Sequence, residues 1–385
     1  MGCPPERIGS PVDSTALTIA INGRFLSQSM TGVQRMAFEF TRALDRLIAE
    51  GQFPGLDVRL LVQPGADTAG LGLTSIQVET LRGWRGHWWE QLTLPHHHRS
   101  GWLLNLGNTA PLWSLLSDRL VAVVVHDISY RTFPTAYRIR YRLAHRLLDK
   151  VLMRRAERIF TVAETERRTI AAYYPEATSR IVVAQNGGLP DDPHREPPAL
   201  RPTEHGYGIY VGSLSRRKNV ETIIATAIIL ARTRGLRFKI AGTSSPILSG
   251  IAYDIPDDVS HMIDFCGQID SPSDLAQLYC GADFLLFPSL YEASALPPIE
   301  AMAQGCPVIL SRIPSLLERC GDAAAYCDPR DPASILAAIE NVLDDAPFRA
   351  MLIERGFRRA SQLSWRSQAI RIIRGLQHGA DRIAP

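Results

Sequence analysis

The chain has 385 residues, more than one hydrophobic core usually serves, so two domains are expected, each large enough to bury its own core. Its 42 Lys plus Arg against 39 Asp plus Glu leave a formal net charge of +3, too small to imply nucleic-acid binding. No apolar run approaches the ~18 to 20 residues that span a bilayer, and Cys3, Cys266, Cys280, Cys306, Cys320 and Cys327 contain no Cys-x-x-Cys pair, so they read as small buried hydrophobes in a reducing compartment.

Residues 1–14, with Pro4, Pro5, Glu6, Arg7 and Pro11, read as a disordered leader without the apolar segment of a secretory signal, and a cytoplasmic protein is expected. Short apolar runs at 18–21, 58–62, 102–104, 120–125 and 181–183 then alternate with helical patterns. That alternation argues for a parallel sheet covered by helices over 15–190. Prolines 193, 197, 198 and 202 break the pattern and predict an interdomain linker over 191–205. A second series at 208–212, 238–242, 262–267, 283–287 and 307–310, each run but the last followed by a plausible helix, predicts a second doubly wound domain over 206–365.

The densest information lies in Tyr291-Glu-Ala-Ser-Ala-Leu-Pro-Pro-Ile-Glu-Ala-Met-Ala-Gln-Gly-Cys-Pro-Val-Ile-Leu310. Proline suits a first helical turn and is excluded from a helix interior, so a helix must begin near Pro297 or Pro298. Glu292 then precedes the helix and Glu300 lies about one turn inside it. One carboxylate could face a sugar ring and the other a ribose, with the N–H groups of Ser294, Ala295 and Leu296 meeting phosphates between them.

This stretch resembles the retaining, nucleotide-sugar-dependent glycosyltransferases of family 4, a group 1 type with the GT-B fold, in which two Rossmann-like domains face each other across a cleft. The likeness continues through Ser311-Arg-Ile-Pro-Ser315, Gly321-Asp-Ala-Ala324 and Asp328-Pro329. A departure is Ala293-Ser-Ala295 where the family usually has Gly-Phe-Gly; a left-handed backbone there would cost alanine ~1 to 2 kcal/mol. The resemblance further implies that the chain crosses back near Ser364-Trp365, so that a helix over 366–385 packs on the first domain.

Val211-Gly-Ser-Leu-Ser-Arg-Arg-Lys-Asn-Val220 follows the first strand of the second domain, with Asn219 placed as N-cap of the next helix and three cations beside that helix start. Lys218 and Arg217 match the family's donor-phosphate contacts, and Ser213 stands where many members carry a further arginine. In Met30-Thr-Gly-Val-Gln-Arg35, Gly32 permits a tight turn, and the N–H groups of Gly32 and Val33 are expected to face the diphosphate across the cleft. His126 and Asp127 end a buried strand where open α/β sheets place ligands; by resemblance His126 lies near the transferred sugar. Asn186-Gly187 matches the end of the family's first domain and lines the cleft or simply turns the chain.

On the acceptor side, Trp88 and Trp89 in Trp84-Arg-Gly-His-Trp-Trp-Glu-Gln-Leu92 could stack on sugar faces or belong to the core, and Asn105 and Asn108 could read hydroxyls. His96-His-His98 has no completing carboxylate or cysteine, so no metal is expected, and no Asp-x-Asp pair exists to hold one on a diphosphate. From Arg131 to Arg158, arginines interleave with Leu143, Leu147, Leu148, Val151 and Leu152, the pattern either of a basic amphipathic helix on anionic lipid or of a helix with a solvated basic face.

The resemblance therefore implies a metal-independent, cofactor-free enzyme of polysaccharide biosynthesis. It would move a sugar, with mannose from GDP-mannose the first choice, to a hydroxyl of a lipid-linked or oligosaccharide acceptor with retention. Glu292 and His126 would be catalytic, Lys218, Arg217 and Glu300 would bind the donor, and the enzyme would be cytoplasmic or peripheral on the inner face of the plasma membrane. The alternatives are a nucleotide-sugar epimerase of the same fold and a non-catalytic nucleotide- or glycan-binding protein. A nicotinamide enzyme is disfavoured because no Gly-x-Gly-x-x-Gly follows a predicted strand.

Overall fold

The structure, a computed structural model, describes residues 17–134, 137–188, 206–243, 255–269 and 271–380, so the expected leader and linker lie outside the described residues. Seven strands form the first sheet: β1 (Thr18–Asn22), β2 (Asp57–Val62), β3 (Gln77–Thr80), β4 (Trp102–Asn105), β5 (Leu120–Val125), β6 (Arg158–Thr161) and β7 (Ile181–Val183). Their order is β3-β2-β1-β4-β5-β6-β7, and every neighbouring pair is parallel. Six strands form the second: β8 (Tyr207–Val211), β9 (Arg237–Ala241), β10 (Ile263–Gly267), β11 (Phe284–Phe287), β12 (Val308–Ser311) and β13 (Ala325–Cys327). They too are parallel, in the order β10-β9-β8-β11-β12-β13.

Both sheets are buried by helices, so their strands read as nearly continuous apolar runs, Leu-Val-Ala-Val-Val-Val in β5 and Phe-Leu-Leu-Phe in β11. Three strands go beyond the sequence reading. β3 is an edge strand with mostly exposed residues, β6 is four residues long and opens on a buried arginine, and β13 has three residues. The segment at 307–310 is not the end of the second series, since β12 leads into a helix and then β13.

Seven helices position the site: α1 (Gly32–Ala49), α2 (Ile139–Arg155), α3 (Glu164–Tyr173), α4 (Val220–Arg234), α5 (Pro297–Ala303), α6 (Pro314–Cys320) and α7 (Trp365–Ala380). α1 buries Met36, Ala37, Phe40, Leu44 and Leu47 at helical spacing against the first sheet. α7 packs along α1 and contributes Trp365, Ala369, Ile372, Ile373 and Leu376 to the same core.

Strand order reverses between β1 and β4 in one sheet and between β8 and β11 in the other. In open parallel sheets the crevice for a ligand opens at the carboxyl ends of the strands flanking such a reversal. The loops that leave β8 and β11 carry Arg217, Lys218 and Glu292, while Asn22 and Asn105 end β1 and β4.

Candidate active site between the two sheets

The loops after β8 and β11 are tied together through their backbones, with Leu290 N donating to Arg217 O at 2.9 Å. Lys218 Nζ donates to Glu292 Oε1, and Arg217 reaches the same oxygen at 3.3 Å and the Tyr291 carbonyl at 3.1 Å. The ammonium also lies 4.6 Å from the centre of the Phe287 ring. Burial pulls Lys218 down to about 8 against the attraction of Glu292, with the neighbouring Arg217 adding to the fall. Arg216, the third cation, turns away to exposed solvent near Glu221.

Asn219 does stand at the start of α4, but not as a side-chain cap. Its backbone is left-handed (φ 60°), the only such non-glycine among the described residues, and its side chain donates to Pro329 O and accepts from the Thr222 hydroxyl. The loop 293–295 has no left-handed residue, so alanine replaces glycine there without backbone strain. Gly32 likewise has no positive φ; a Cβ on it would meet nothing within 4 Å, so open space rather than a tight turn is its local feature.

α5 begins at Pro297, as its prolines require, and buries Glu300 one turn in. Tyr279 donates to Glu300 Oε2 at 3.1 Å, and Arg35 of α1, from the other side of the cleft, approaches Oε1 at 3.1 Å. Burial raises the Glu300 carboxyl, and Arg35 and the tyrosine hydrogen bond counter that rise. Between the two glutamates, Ala293 and Leu296 pack into the core of the first sheet, and Ala295 O accepts from Arg319 Nε at 2.7 Å. Arg319 also donates to Gly187 O at 3.2 Å, so one buried guanidinium joins this loop to the end of the first half. Ser294 is partly buried in the same loop, and Ser213 contributes a carbonyl that accepts from the Tyr210 hydroxyl.

On the first half, His126 is buried at the end of β5. Its amide donates to Asn108 Oδ1 at 2.7 Å and its Nε2 to Leu106 O at 3.0 Å, and burial lowers its pKa, so the ring is neutral with Nδ1 as the remaining acceptor. Beside it are two adjoining cavities of about 130 and 100 Å³ that share Asn108 and His145. Asp127, Tyr137 and Tyr141 line the first, with the tyrosine rings stacked 5.4 Å apart; His87 and Glu90 line the second.

Two acceptor-side expectations are corrected. Trp89 is fully buried, with Nε1 donating to Leu81 O, because a π-turn over Trp89–Thr93 rotates it into the core and leaves Trp88 exposed. Asn105 is buried beneath the cleft, accepting from Asn22 Nδ2 at 2.9 Å and donating to Ala122 O. Asn186 is similarly occupied, accepting from Gln368 of α7 at 2.7 Å. Burial first, and then the nearby Arg119 and Arg59 charges, lower His98 to about 4, a setting hostile to a cation.

Several residues that the sequence did not single out join the halves. Tyr291 donates from its hydroxyl to Glu166 Oε1 of α3 at 2.9 Å. Glu318 of α6 accepts from the Glu164 and Thr165 amides at the start of α3. Within the first half, Glu90 accepts from Asn22 Nδ2 at 3.0 Å and pairs with Arg24 at 2.5 Å, holding the end of β1 against the wall of the second cavity. Single charges on helices carry no pattern that separates them from solvated ones; only the closed arrangement of the halves reveals these.

Comparison with known proteins agrees with this geometry. Residues 206–345 match the family described as Glycosyl transferases group 1. The chain is 30% identical over 261 residues to O-antigen chain mannosyltransferase B of Escherichia coli, covering 62% of this chain and 65% of that protein. It spans less than two thirds of the length of this and other curated relatives that it matches. Sucrose-phosphate synthase from Thermosynechococcus elongatus has the same fold, with a TM-score of 0.73 over 96% of this chain and 100% of that one at 18% identity. Anabaena HepE in complex with UDP and glucose gives 0.68 over 94% and 100% at 16% identity.

Proposed function

From the match of residues 206–345 to the glycosyl transferases of group 1 and from the GT-B fold, we propose that the chain is a glycosyltransferase that moves a sugar from a nucleoside diphosphate to a hydroxyl of a lipid-linked or oligosaccharide acceptor, with retention of configuration. The observation that carries this is the cluster of Lys218, Arg217 and Glu292 at the strand reversal of the second sheet, with Asp127, next to His126 at a strand end of the first, close enough to act on the Arg217 charge. Two cations there offset charge building on a leaving diphosphate. The similarity to an O-antigen mannosyltransferase favours mannose as the sugar, and GDP-mannose is the donor proposed to carry it.

In this reading Glu300 holds the ribose hydroxyls and Glu292 the donor sugar. The C1–O bond to the phosphate breaks as the C1–O bond to the acceptor forms on the same face, and the acceptor proton passes to the departing phosphate oxygen, so no carboxylate base is needed. Neutral His126 lies where the reacting carbon and the acceptor meet, and the cavities around Asn108 and His145 take the acceptor sugar. No divalent ion takes part; Lys218 and Arg217 fill that role.

No described helix is long and apolar enough to cross a membrane. α2 nevertheless exposes Ile139, Leu143 and Leu147 as one stripe at i, i+4 and i+8, flanked by exposed Arg140, Arg146 and Lys150, and Trp113 and Leu116 are exposed on the neighbouring turn. An apolar stripe edged by cations suits an anionic bilayer surface, where a lipid-linked acceptor would be met.

A thermal-shift screen against GDP, UDP, dTDP and ADP sugars tests the donor, since a ligand at 100 times its Kd adds ~2.7 kcal/mol to stability. Proton NMR of the first product, formed with and without EDTA, tests the rest. The proposal requires the retained anomer and unchanged turnover in chelator. It also requires Glu292→Ala and His126→Ala to lower kcat more than nucleotide affinity. An inverted anomer, or near-normal turnover in both variants, would sink it.

A further inference from the structure

Both carboxylates of the Glu292 and Glu300 pair are engaged by cations, but in different ways. Glu292 draws on Lys218 and Arg217 of its own half, with directed hydrogen bonds. Glu300 draws on Arg35 of the opposite half, and that contact is ionic only: Oε1 is buried and receives no directed hydrogen bond, while Tyr279 serves Oε2. A buried carboxylate oxygen without a directed donor is costly to keep and ready to accept one. A ribose diol supplies such donors, whereas a guanidinium held at 3.1 Å without alignment does not.

Arg35 itself is fixed only at its root. It sits in the first turn of α1, three residues beyond Gly32, its side chain is 29% exposed, and Glu300 is its one ionic partner among the described residues. Building Arg35 to brace the halves would call for a bidentate, hydrogen-bonded pair, as Glu318 makes with the start of α3.

We infer that Arg35 is a donor-binding residue that exchanges partners: ribose hydroxyls replace its guanidinium on Glu300, and the guanidinium moves to the donor diphosphate as the first half's contribution to the charge clamp. The inference rests on the nucleoside diphosphate reading of the site and adds to it a cation from the opposite side of the cleft. Charge balances in the exchange, because the buried carboxylate trades an ion pair for hydroxyl donors while the incoming anion takes up the released cation. Arg35 thereby couples recognition of the ribose to recognition of the phosphates.

Titration calorimetry on the full chain decides this with GDP, UDP and the corresponding nucleosides as probes. Arg35→Gln should bind the preferred nucleoside diphosphate at least tenfold more weakly than the unmodified protein while nucleoside affinity stays within twofold or rises, and Arg35→Lys should recover part of the loss. Circular dichroism of each variant without ligand reports its folding, and Arg35→Lys keeps the test valid if Arg35→Gln unfolds. Diphosphate binding by Arg35→Gln within twofold of the unmodified protein, or equal losses for nucleoside and diphosphate in either variant, overturns the role of Arg35 and leaves the donor reading standing. Failure of the unmodified protein to bind any nucleoside diphosphate overturns the donor reading and this inference with it.

Discussion

Glu318 sets one carboxylate oxygen 2.6 Å from the Glu164 amide and the other 2.8 Å from the Thr165 amide, so a residue of α6 in the second half caps the first turn of α3 in the first half. The Thr165 hydroxyl and Gln185 Nε2 complete the set. A carboxylate at a helix start satisfies free N–H groups and meets the positive end of the helix dipole. Glu318→Ala should therefore loosen the closed arrangement by about 1–3 kcal/mol, the value of charge-assisted hydrogen bonds. Small-angle scattering should show a larger radius of gyration for the variant, with the proposed sugar transfer slowed more than the proposed nucleotide binding. An unchanged scattering profile and rate would refute this bracing role.

Glu166 gives the fold a pH dependence of known sign. Burial first, then the charges of Asp127, Glu292 and Glu318, raise its carboxyl from 4.5 to about 8, while the hydrogen bond from Tyr291 opposes the rise. Folding therefore retains a proton that the unfolded chain releases near 4.5. Stability contributed at this site should fall as pH rises from about 4.5 to about 8 and level off above, a loss on the order of a few kcal/mol. Glu166→Gln keeps an acceptor for the Tyr291 hydroxyl and should flatten this slope in denaturant titrations at pH 5, 6.5 and 8. A parallel slope in the variant would place the dependence elsewhere.

How much of this was legible in the sequence depends on how local each signal is. Pro297 and Pro298 dictate where α5 begins, and with it the placement of Glu292 before the helix and Glu300 inside it. Phe284–Phe287 and Leu120–Val125 announce buried strands by composition alone. β6 does not, because Arg158 looks like the tail of the basic helix before it; only in the fold does its side chain turn to donate to Gly375 O of α7. Trp89 could not be separated from Trp88 either, since the π-turn that parts them has no period of its own. Arg35, Glu166 and Glu318 gain meaning from partners 125 to 265 positions away, a distance over which no spacing rule speaks.

On the proposed donor reading, Lys218 should make nucleoside diphosphate affinity pH-dependent. With its ammonium at about 8 in the ligand-free protein, the fraction able to meet a phosphate falls as pH rises through that value. The ligand's own phosphate ionisation lies near ~6 and is complete by then. Nucleoside diphosphate affinity should be flat from pH 6.5 to 7.5 and drop above 8 by up to about tenfold per unit, with nucleoside affinity unaffected. Lys218→Arg should abolish the drop, and a drop of the same size in that variant would assign it to another group.

The α2 stripe should govern membrane binding. Flotation with vesicles containing phosphatidylglycerol should carry the protein upward, and neutral phosphatidylcholine vesicles should not. Leu143→Gln with Leu147→Gln should reduce flotation at least severalfold without lowering thermal stability, since both side chains are more than half exposed. Equal binding to neutral and anionic vesicles, or undiminished flotation of the double variant, would dismiss the surface.

The return of α7 to α1 also orders events during synthesis. The core of the first sheet is incomplete until Trp365, Ala369, Ile372, Ile373 and Leu376 have left the ribosome, although its strands emerge first. The second sheet, whose strands lie within residues 207–327, has its whole framework available earlier. The later-made half should thus consolidate first, and the earlier-made half should wait with the inner face of α1 uncovered, exposed to chaperones and to aggregation until the chain closes on itself.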